Sequence, residues 1–218
     1  MTIAPPIEYG VDQGVAADPH ARPIYRPFPG PASKRIVVGY GFWIFLLSDF
    51  IMFSAFFAAY AVLSGETAGG PTGKQLFDLR TVAAETGALL ASSFTCGMSA
   101  LAVQTRQTGK VYAASFFTFL FGAVFLGLEI SEFARMVAEG AGPQRSAFLS
   151  SFFSVVGLHG LHVTAGLVWL TVMLGQIATR GFIPTTMRRF LCFALFWHAL
   201  DIIWVALFSV VYLMGAAA

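Results

Sequence analysis

Five long apolar segments dominate this sequence, and each is long enough to cross a lipid bilayer. They run over roughly 36–63, 79–104, 111–137, 147–178 and 188–214. A helix needs about 20 apolar residues to span a hydrocarbon core about 30 Å thick. Only helices and closed barrels satisfy their own backbone hydrogen bonds in lipid, and continuous apolar runs lack the alternation of barrel strands. The sequence therefore predicts an all-α, polytopic membrane protein, folded as a bundle of five transmembrane helices.

The composition excludes a soluble globular domain. Hydrophobic residues make up 57% of the 218-residue chain and charged residues only 11%, with a mean hydropathy of +0.74. A soluble domain of this size could not bury that much apolar surface. The formal net charge of +2 is too small to indicate a nucleic-acid partner, and we expect none.

The first 35 residues differ from the rest, since they hold seven of the ten prolines. A segment this rich in proline, without an apolar run, cannot form a packed core. We therefore expect residues 1–35 to form a flexible cytoplasmic arm and residues 36–218 to form the transmembrane domain.

Positive residues are unequally shared between the two ends of the predicted helices. Nine fall on flanks that share one side of the membrane: Arg22, Arg26, Lys34, Arg35, Arg106, Lys110, Arg180, Arg188 and Arg189. Four fall on the other side: Lys74, Arg80, Arg135 and Arg145. Because positive flanks stay inside, the N-terminus is predicted to be cytoplasmic and, after five crossings, the C-terminus periplasmic.

Ionisable residues inside the predicted helices are the strongest functional signal, because each is costly in lipid and must face protein, water or a headgroup. A rise of about 1.5 Å per residue places one set near mid-membrane: Asp49, His159, His162, His198 and Asp201. Glu85 and Glu129 fall closer to the outer face by the same count.

Three interpretations of this polar layer stay open. Histidines on facing helices fit haem or copper ligation. Chains of carboxylates and histidines also form proton relays in membrane proteins. The third interpretation is structural, with side chains that hydrogen-bond between helices at about 1 kcal/mol each.

Small and aromatic residues predict where helices pack closely. Gly157, Gly160 and Thr164 follow one side of a helix and let a neighbouring helix approach. Trp197 and Trp204 are seven residues apart, so they share a helix face next to the polar pair of the last segment. We expect all of these residues to form helix-packing contacts.

Four stretches resemble subunit III of the haem–copper terminal oxidases. They are "GFWIFLLSDFIMFSAFFAAYAVL" (41–63), "GGPTGK" (69–74), "GPQRSAFLSSFFSVVGLHGLHVTAGLVW" (142–169) and "FWHALDIIWVALFSVVYLMG" (196–215). The likeness extends over roughly residues 36–216. The five predicted helices and the two loop motifs resemble most the branch of the bacterial cytochrome bo-type ubiquinol oxidases.

The resemblance implies a subunit without a catalytic centre, in a proton-pumping complex of the bacterial inner membrane that oxidises ubiquinol and reduces oxygen. It implies haems and copper in subunit I, ubiquinone in the complex, and no metal or other cofactor in this chain. The implied partners are subunits I, II and IV and membrane lipids, with a bound phospholipid among them. In such a complex the chain would stabilise subunit I and its proton uptake, and enclose lipid.

Two positions depart from the resembled family. Asp49 stands where many relatives carry a buried glutamate. Gly175 stands where many carry an arginine that holds a lipid phosphate, so Arg180 is the candidate in its place. The alternatives are subunit III of a five-helix cytochrome c or menaquinol oxidase and, from other classes, a stand-alone transporter or an assembly scaffold.

Overall fold

The computed structural model describes residues 34–217, so the arm expected at 1–35 lies almost wholly outside the described residues. The helices are α1 (Lys34–Leu63), α2 (Gly73–Leu76), α3 (Leu79–Gln104), α4 (Thr108–Ala138), α5 (Ala147–Arg180), α6 (Pro184–Leu207) and α7 (Met214–Ala217). A π-helical segment (Phe208–Leu213) joins α6 to α7 without a break.

The prediction of an all-α membrane protein with five transmembrane helices is confirmed. Over residues 34–217 the chain contains no strand, and five helices are long and apolar enough to cross a membrane. The fifth of these spans runs from Pro184 to Ala216, through the π-helical segment. The chain is therefore a multi-pass membrane protein.

Helices α5 and α6 are the central pair of the bundle. α6 packs against α1, α3 and α5, and α5 packs against α1, α4 and α6, while α3 and α4 pack against each other. Helix α1 lies at the edge and buries mainly one stripe, formed by Leu46, Phe53 and Tyr60. These residues are seven apart, which is the repeat that keeps one face of a helix against its neighbours. The remaining apolar surface of α1 faces outwards, which suits lipid or a partner chain.

Helices α3 and α4 form a tight hairpin that hydroxyl groups hold together. The hydroxyls of Ser99 and Ser115 are hydrogen-bonded at 2.6 Å, and those of Thr95 and Thr118 at 2.9 Å. The turn needs a positive φ of 54° at Arg106. Hydrogen bonds of this kind replace the hydrophobic effect, which cannot join helices within lipid.

The ends of the helices follow the usual capping chemistry. Ser146 caps α5 by accepting a hydrogen bond from the backbone N–H of Leu149, at 3.2 Å. Helix α5 ends at Gly181, whose φ of 67° suits glycine, and Pro184 opens α6 in its first turn. Asp78 caps α3 by accepting from the N–H of Arg80 at 3.0 Å.

Candidate functional site

The predicted polar layer separates into distinct places, because neighbouring residues at one depth point in different directions around the bundle. One place lies between α1 and α5, one on the α3–α6 face, and one in the interior between α3 and α4. The side chains concerned are Asp49 and His162, then Ser93, His198 and Asp201, then Glu85, Glu129 and Glu132. His159 lies in the aromatic core.

His159 is fully buried among aromatic rings. Its Nε2–H donates to the carbonyl oxygen of Leu200 on α6 at 3.2 Å, while Nδ1 has no partner among the described residues. The rings of Phe125 and Trp204 lie 5.6 and 5.2 Å away, between centroids. The imidazole therefore joins α5 to α6 as a hydrogen-bonded core side chain.

His162 and Asp49 mark the boundary between α5 and α1. The Nδ1–H of His162 donates to the carbonyl of Leu158 in its own helix at 2.8 Å, and its ring packs edge-on to Phe53 at 5.3 Å. Asp49 is half-buried and within electrostatic range of His162. Its carboxyl group makes no hydrogen bond to any other residue in 34–217, so this polar pair is incomplete within the chain.

His198 and Asp201 lie on the α3–α6 face, as the (i, i+3) spacing requires. Nδ1 of His198 is hydrogen-bonded to the hydroxyl of Ser93 on α3 at 2.8 Å. Both side chains line a shallow surface groove along α3 that also includes Gly97. Oδ1 of Asp201 is buried without a partner among the described residues, so this pair also leaves hydrogen-bonding capacity unused.

The third place holds three buried glutamates, which we call the carboxyl cluster. Glu85 of α3 is 0% exposed, and Glu129 and Glu132 of α4 are each 2% exposed. The hydroxyl of Tyr212, from the π-helical segment, donates to Oε2 of Glu132 at 3.1 Å. Nη2 of Arg135 lies 3.9 Å from Oε1 of Glu132.

Glu132 is the functional candidate that the sequence did not single out. Near the end of a predicted span and three residues before Arg135, it has the pattern of an ordinary solvated flank. Its spacing of three from Glu129 was the available signal, because it places both carboxyls on one face of α4.

Of the three small residues predicted to pack on α5, Gly160 makes the closest contact. A Cβ at Gly160 would lie 2.6 Å from Oε1 of Glu129, so that carboxyl group rests directly on the α5 backbone. The nearest atom to a Cβ at Gly157 would be on Phe133, at 3.6 Å. Thr164 is exposed and bonds only to the Gly160 carbonyl of its own helix.

Trp197 and Trp204 are buried on the face of α6 that meets α3. The indole N–H of Trp197 donates to the hydroxyl of Ser92, and that of Trp204 to the hydroxyl of Thr86, each at 3.0 Å. The two acceptors lie six residues apart on α3, so the bonds fix the register of α6 against it.

The polar side chains are not arranged as a metal centre within the described part of the chain. No three or more His, Cys, Asp or Glu residues there are grouped to hold a metal ion. Each of the histidines His159, His162 and His198 already has one ring nitrogen in a hydrogen bond to protein. The chemistry that the arrangement does offer is hydrogen bonding between helices and proton binding.

Residues 30–216 match the family described as cytochrome c oxidase subunit III. "Cytochrome bo(3) ubiquinol oxidase subunit 3" of Pseudomonas aeruginosa is 52% identical over 177 residues, which cover 81% of this chain and 85% of that protein. The protein of the same name from Buchnera aphidicola subsp. Acyrthosiphon pisum is 40% identical, over 81% of this chain and 86% of that protein. "Quinol oxidase subunit 3" of Bacillus subtilis is 43% identical, over 80% of this chain and 86% of that protein.

Proposed function

The chain belongs to the cytochrome c oxidase subunit III family, and on that premise we propose that it is the non-catalytic subunit III of a proton-pumping ubiquinol oxidase. The observation that carries the proposal is the similarity, over most of the chain, to relatives named as subunit 3 of ubiquinol and quinol oxidases. Those names specify a quinol as the electron donor, which favours a quinol oxidase over a cytochrome c oxidase.

In this proposal the haems and copper belong to subunit I, the complex carries ubiquinone, and the chain packs beside subunits I, II and IV in the bacterial inner membrane. The bias of positive flanks supports a cytoplasmic N-terminus and a periplasmic C-terminus. A supporting role for this chain agrees with its histidines, because each of those in the spans is already hydrogen-bonded to protein.

The incomplete polar pairs are the proposed points of contact with the rest of the complex. The carboxyl group of Asp49 in α1 makes no hydrogen bond within the described chain, and Oδ1 of Asp201 on the α3–α6 face is buried without one. A carboxyl group at that depth is costly against hydrocarbon, so we propose that each meets a partner subunit or lines a lipid cleft. Arg180, at the end of α5, is the proposed ligand of a phospholipid phosphate.

Gentle purification through a tag on this chain tests the proposal. The expected result is a complex with one copy of this chain per haem-bearing subunit, a haem spectrum, and quinol oxidation that consumes oxygen. A matched strain without the chain is expected to yield an oxidase that assembles less well or loses activity faster during turnover. Ubiquinol, menaquinol and reduced cytochrome c, supplied in turn, identify the electron donor.

The competing functions predict different results in the same experiment. A stand-alone transporter would purify without haem-bearing partners and move a substrate in vesicles. An assembly scaffold would appear in substoichiometric amounts and be absent from the mature, active oxidase. Either result would overturn the proposed function.

A further inference from the structure

The carboxyl cluster has more carboxyl groups than the surrounding side chains can hydrogen-bond or neutralise. Glu85 is fully buried, and neither of its carboxyl oxygens has a hydrogen-bond partner among the described residues. Oε2 of Glu129 likewise has none within that part of the chain. Glu132 accepts one hydrogen bond, from the hydroxyl of Tyr212 to its Oε2. Its Oε1 has no hydrogen-bond partner among the described residues and lies 3.9 Å from Nη2 of Arg135, as an ion pair.

The charge balance decides which member of the cluster ionises. An ionised carboxylate without a partner is far less stable in a bundle interior than its neutral, protonated form. The three carboxyls are within electrostatic range of one another, so each negative charge opposes the next. Over the described residues Arg135 is the one ion-pair partner of the cluster. Glu132 is therefore the anionic member, and Glu85 and Glu129 hold protons.

The groups that face the cluster from other elements do not supply a second cation. Tyr212, from the π-helical segment, is uncharged at neutral pH. Asp78, before α3, adds a negative charge near Arg135. His159 of α5 donates through Nε2 to Leu200, which leaves Nδ1 as an unprotonated acceptor in the neutral ring.

Glu85 supplies an observation from a second helix. It lies on α3, is fully buried, and is within electrostatic range of the two glutamates of α4. Neither of its carboxyl oxygens has a hydrogen-bond partner among residues 34–217. A buried carboxyl group without a partner is stable when it carries a proton, so this part of the bundle binds protons.

Glu132 and Arg135 connect the cluster to the membrane surface. The side chain of Arg135 is 44% exposed, and its Nη1 lies 3.7 Å from Oε1 of Glu139, which is 54% exposed. Glu132, Arg135 and Glu139 occupy successive turns of one face of α4. Charged side chains thus continue from the buried glutamates to the exposed end of α4, with the permanently charged Arg135 between two carboxyl groups.

We propose that Glu85, Glu129 and Glu132 form a proton-binding site that stores protons on its two inner members and exchanges them with water at the end of α4. A proton from water binds first to the carboxylate of Glu132. Release of a proton by the same route restores the original charge, so the exchange consumes no other reactant.

Infrared difference spectroscopy tests this proposal, because protonated and ionised carboxyl groups absorb in separate bands. The sample is the full-length chain, in the assembly with which it purifies, at neutral pH. The difference between wild type and Glu85→Gln, and between wild type and Glu129→Gln, is expected to show the loss of one protonated-carboxyl band each. Glu139→Gln is the matched control and is expected to remove an ionised-carboxylate band.

Transfer to heavy water tests the exchange. The wild-type protonated-carboxyl bands are expected to shift, and Arg135→Gln is expected to slow that shift. Loss of an ionised band in both inner glutamine variants would overturn proton storage, and wild-type bands that never shift would overturn exchange.

Isotope-labelled glutamate provides a measurement that does not depend on the folding of any variant. A labelled protonated-carboxyl band that shifts in heavy water supports the site, and absence of every such band at neutral pH overturns it. None of these readouts requires quinol oxidation or a partner subunit, so failure of the proton site and failure of the proposed function are distinguishable.

Discussion

Gly166 of α5 lies directly against the indole ring of Trp197 on α6: a Cβ at Gly166 would be 2.7 Å from Cζ3 and 2.9 Å from Cε3 of that ring. A Cβ at Gly122 of α4 would be 3.0 Å from Cη2 and Cζ2 of the same ring. The Trp197 ring, one of the two largest fully buried side chains, is thus in close contact with the backbones of two helices. Both glycines are needed for space, since neither has a positive φ.

Gly166→Ala is expected to destabilise the bundle, because the added methyl group forces the Trp197 ring or the α5 backbone to move. Overpacking of this kind costs about 1–3 kcal/mol. Gly175→Ala is the matched control in the same helix, because no atom lies within 4 Å of its added Cβ. Thermal unfolding of both variants in detergent measures the difference, and equal midpoints would refute the close contact.

Ser92→Ala is expected to lower stability by about 1 kcal/mol, because the indole N–H of Trp197 loses its acceptor in the bundle interior. The double variant Ser92→Ala/Trp197→Phe should cost less than the sum of the single changes. Ser48→Ala, which removes an exposed hydroxyl bonded only within α1, is the control. A strictly additive double variant would show that the two residues are not coupled.

Asp78 is expected to make the start of α3 sensitive to acid. The hydroxyl of Thr81 at 2.9 Å and the N–H of Arg80 at 3.0 Å stabilise its carboxylate and hold its pKa below the ordinary value. Because the folded pKa is lowered, this stabilisation is complete above the unfolded pKa and is lost as the pH falls through the folded pKa, below about 4.

Asp78→Asn tests this pH dependence, because asparagine keeps a capping oxygen without the charge. The unfolding midpoint of the variant should fall below that of wild type at neutral pH. The difference between the two midpoints should become smaller as the pH is lowered through the folded pKa of Asp78. Glu66→Gln, which removes an exposed carboxyl from the connection before α2, should show no such narrowing. A difference in midpoints that grows towards low pH would contradict a stabilising role for the ionised carboxyl group of Asp78.

The chain separated from any partners is expected to bind neither haem nor copper. Each histidine of the spans uses one ring nitrogen in a hydrogen bond to protein, and His159 is enclosed by aromatic rings. Metal analysis and an absorption spectrum of the chain, refolded with haem and with copper supplied, measure this directly. One haem or copper ion per chain would refute it.

The sequence predicted the fold class because its cause is local. A segment of about 20 apolar residues must be helical in lipid whatever surrounds it, so five such segments implied five spanning helices. The π-helical segment that contains Tyr212 could not be predicted in this way. An α-helix and a π-helix have the same apolar composition, and the choice between them depends on packing against the rest of the bundle.

The candidate site was only partly accessible from the sequence. Asp49, Glu85, His198 and Asp201 could be chosen because an ionisable residue in lipid is costly wherever it points. Glu132 could not be told from a solvated flank, since its burial comes from α3 and the π-helical segment, which lie about 50 and 80 residues away along the chain.

The sequence by itself determined that the chain spans a membrane with five helices, because an apolar segment of that length must be helical in lipid. It also predicted a depth for each polar residue from its position along a helix. Only the tertiary structure decided which polar residues meet. The rotation of each helix about its axis depends on side-chain packing, and it separated Asp49 from Asp201 while it brought Glu85 to the glutamates of α4. The set predicted near mid-membrane thus became two outward-facing pairs and a core histidine, while Glu85 and Glu129, predicted closer to the outer face, meet Glu132 in a buried cluster.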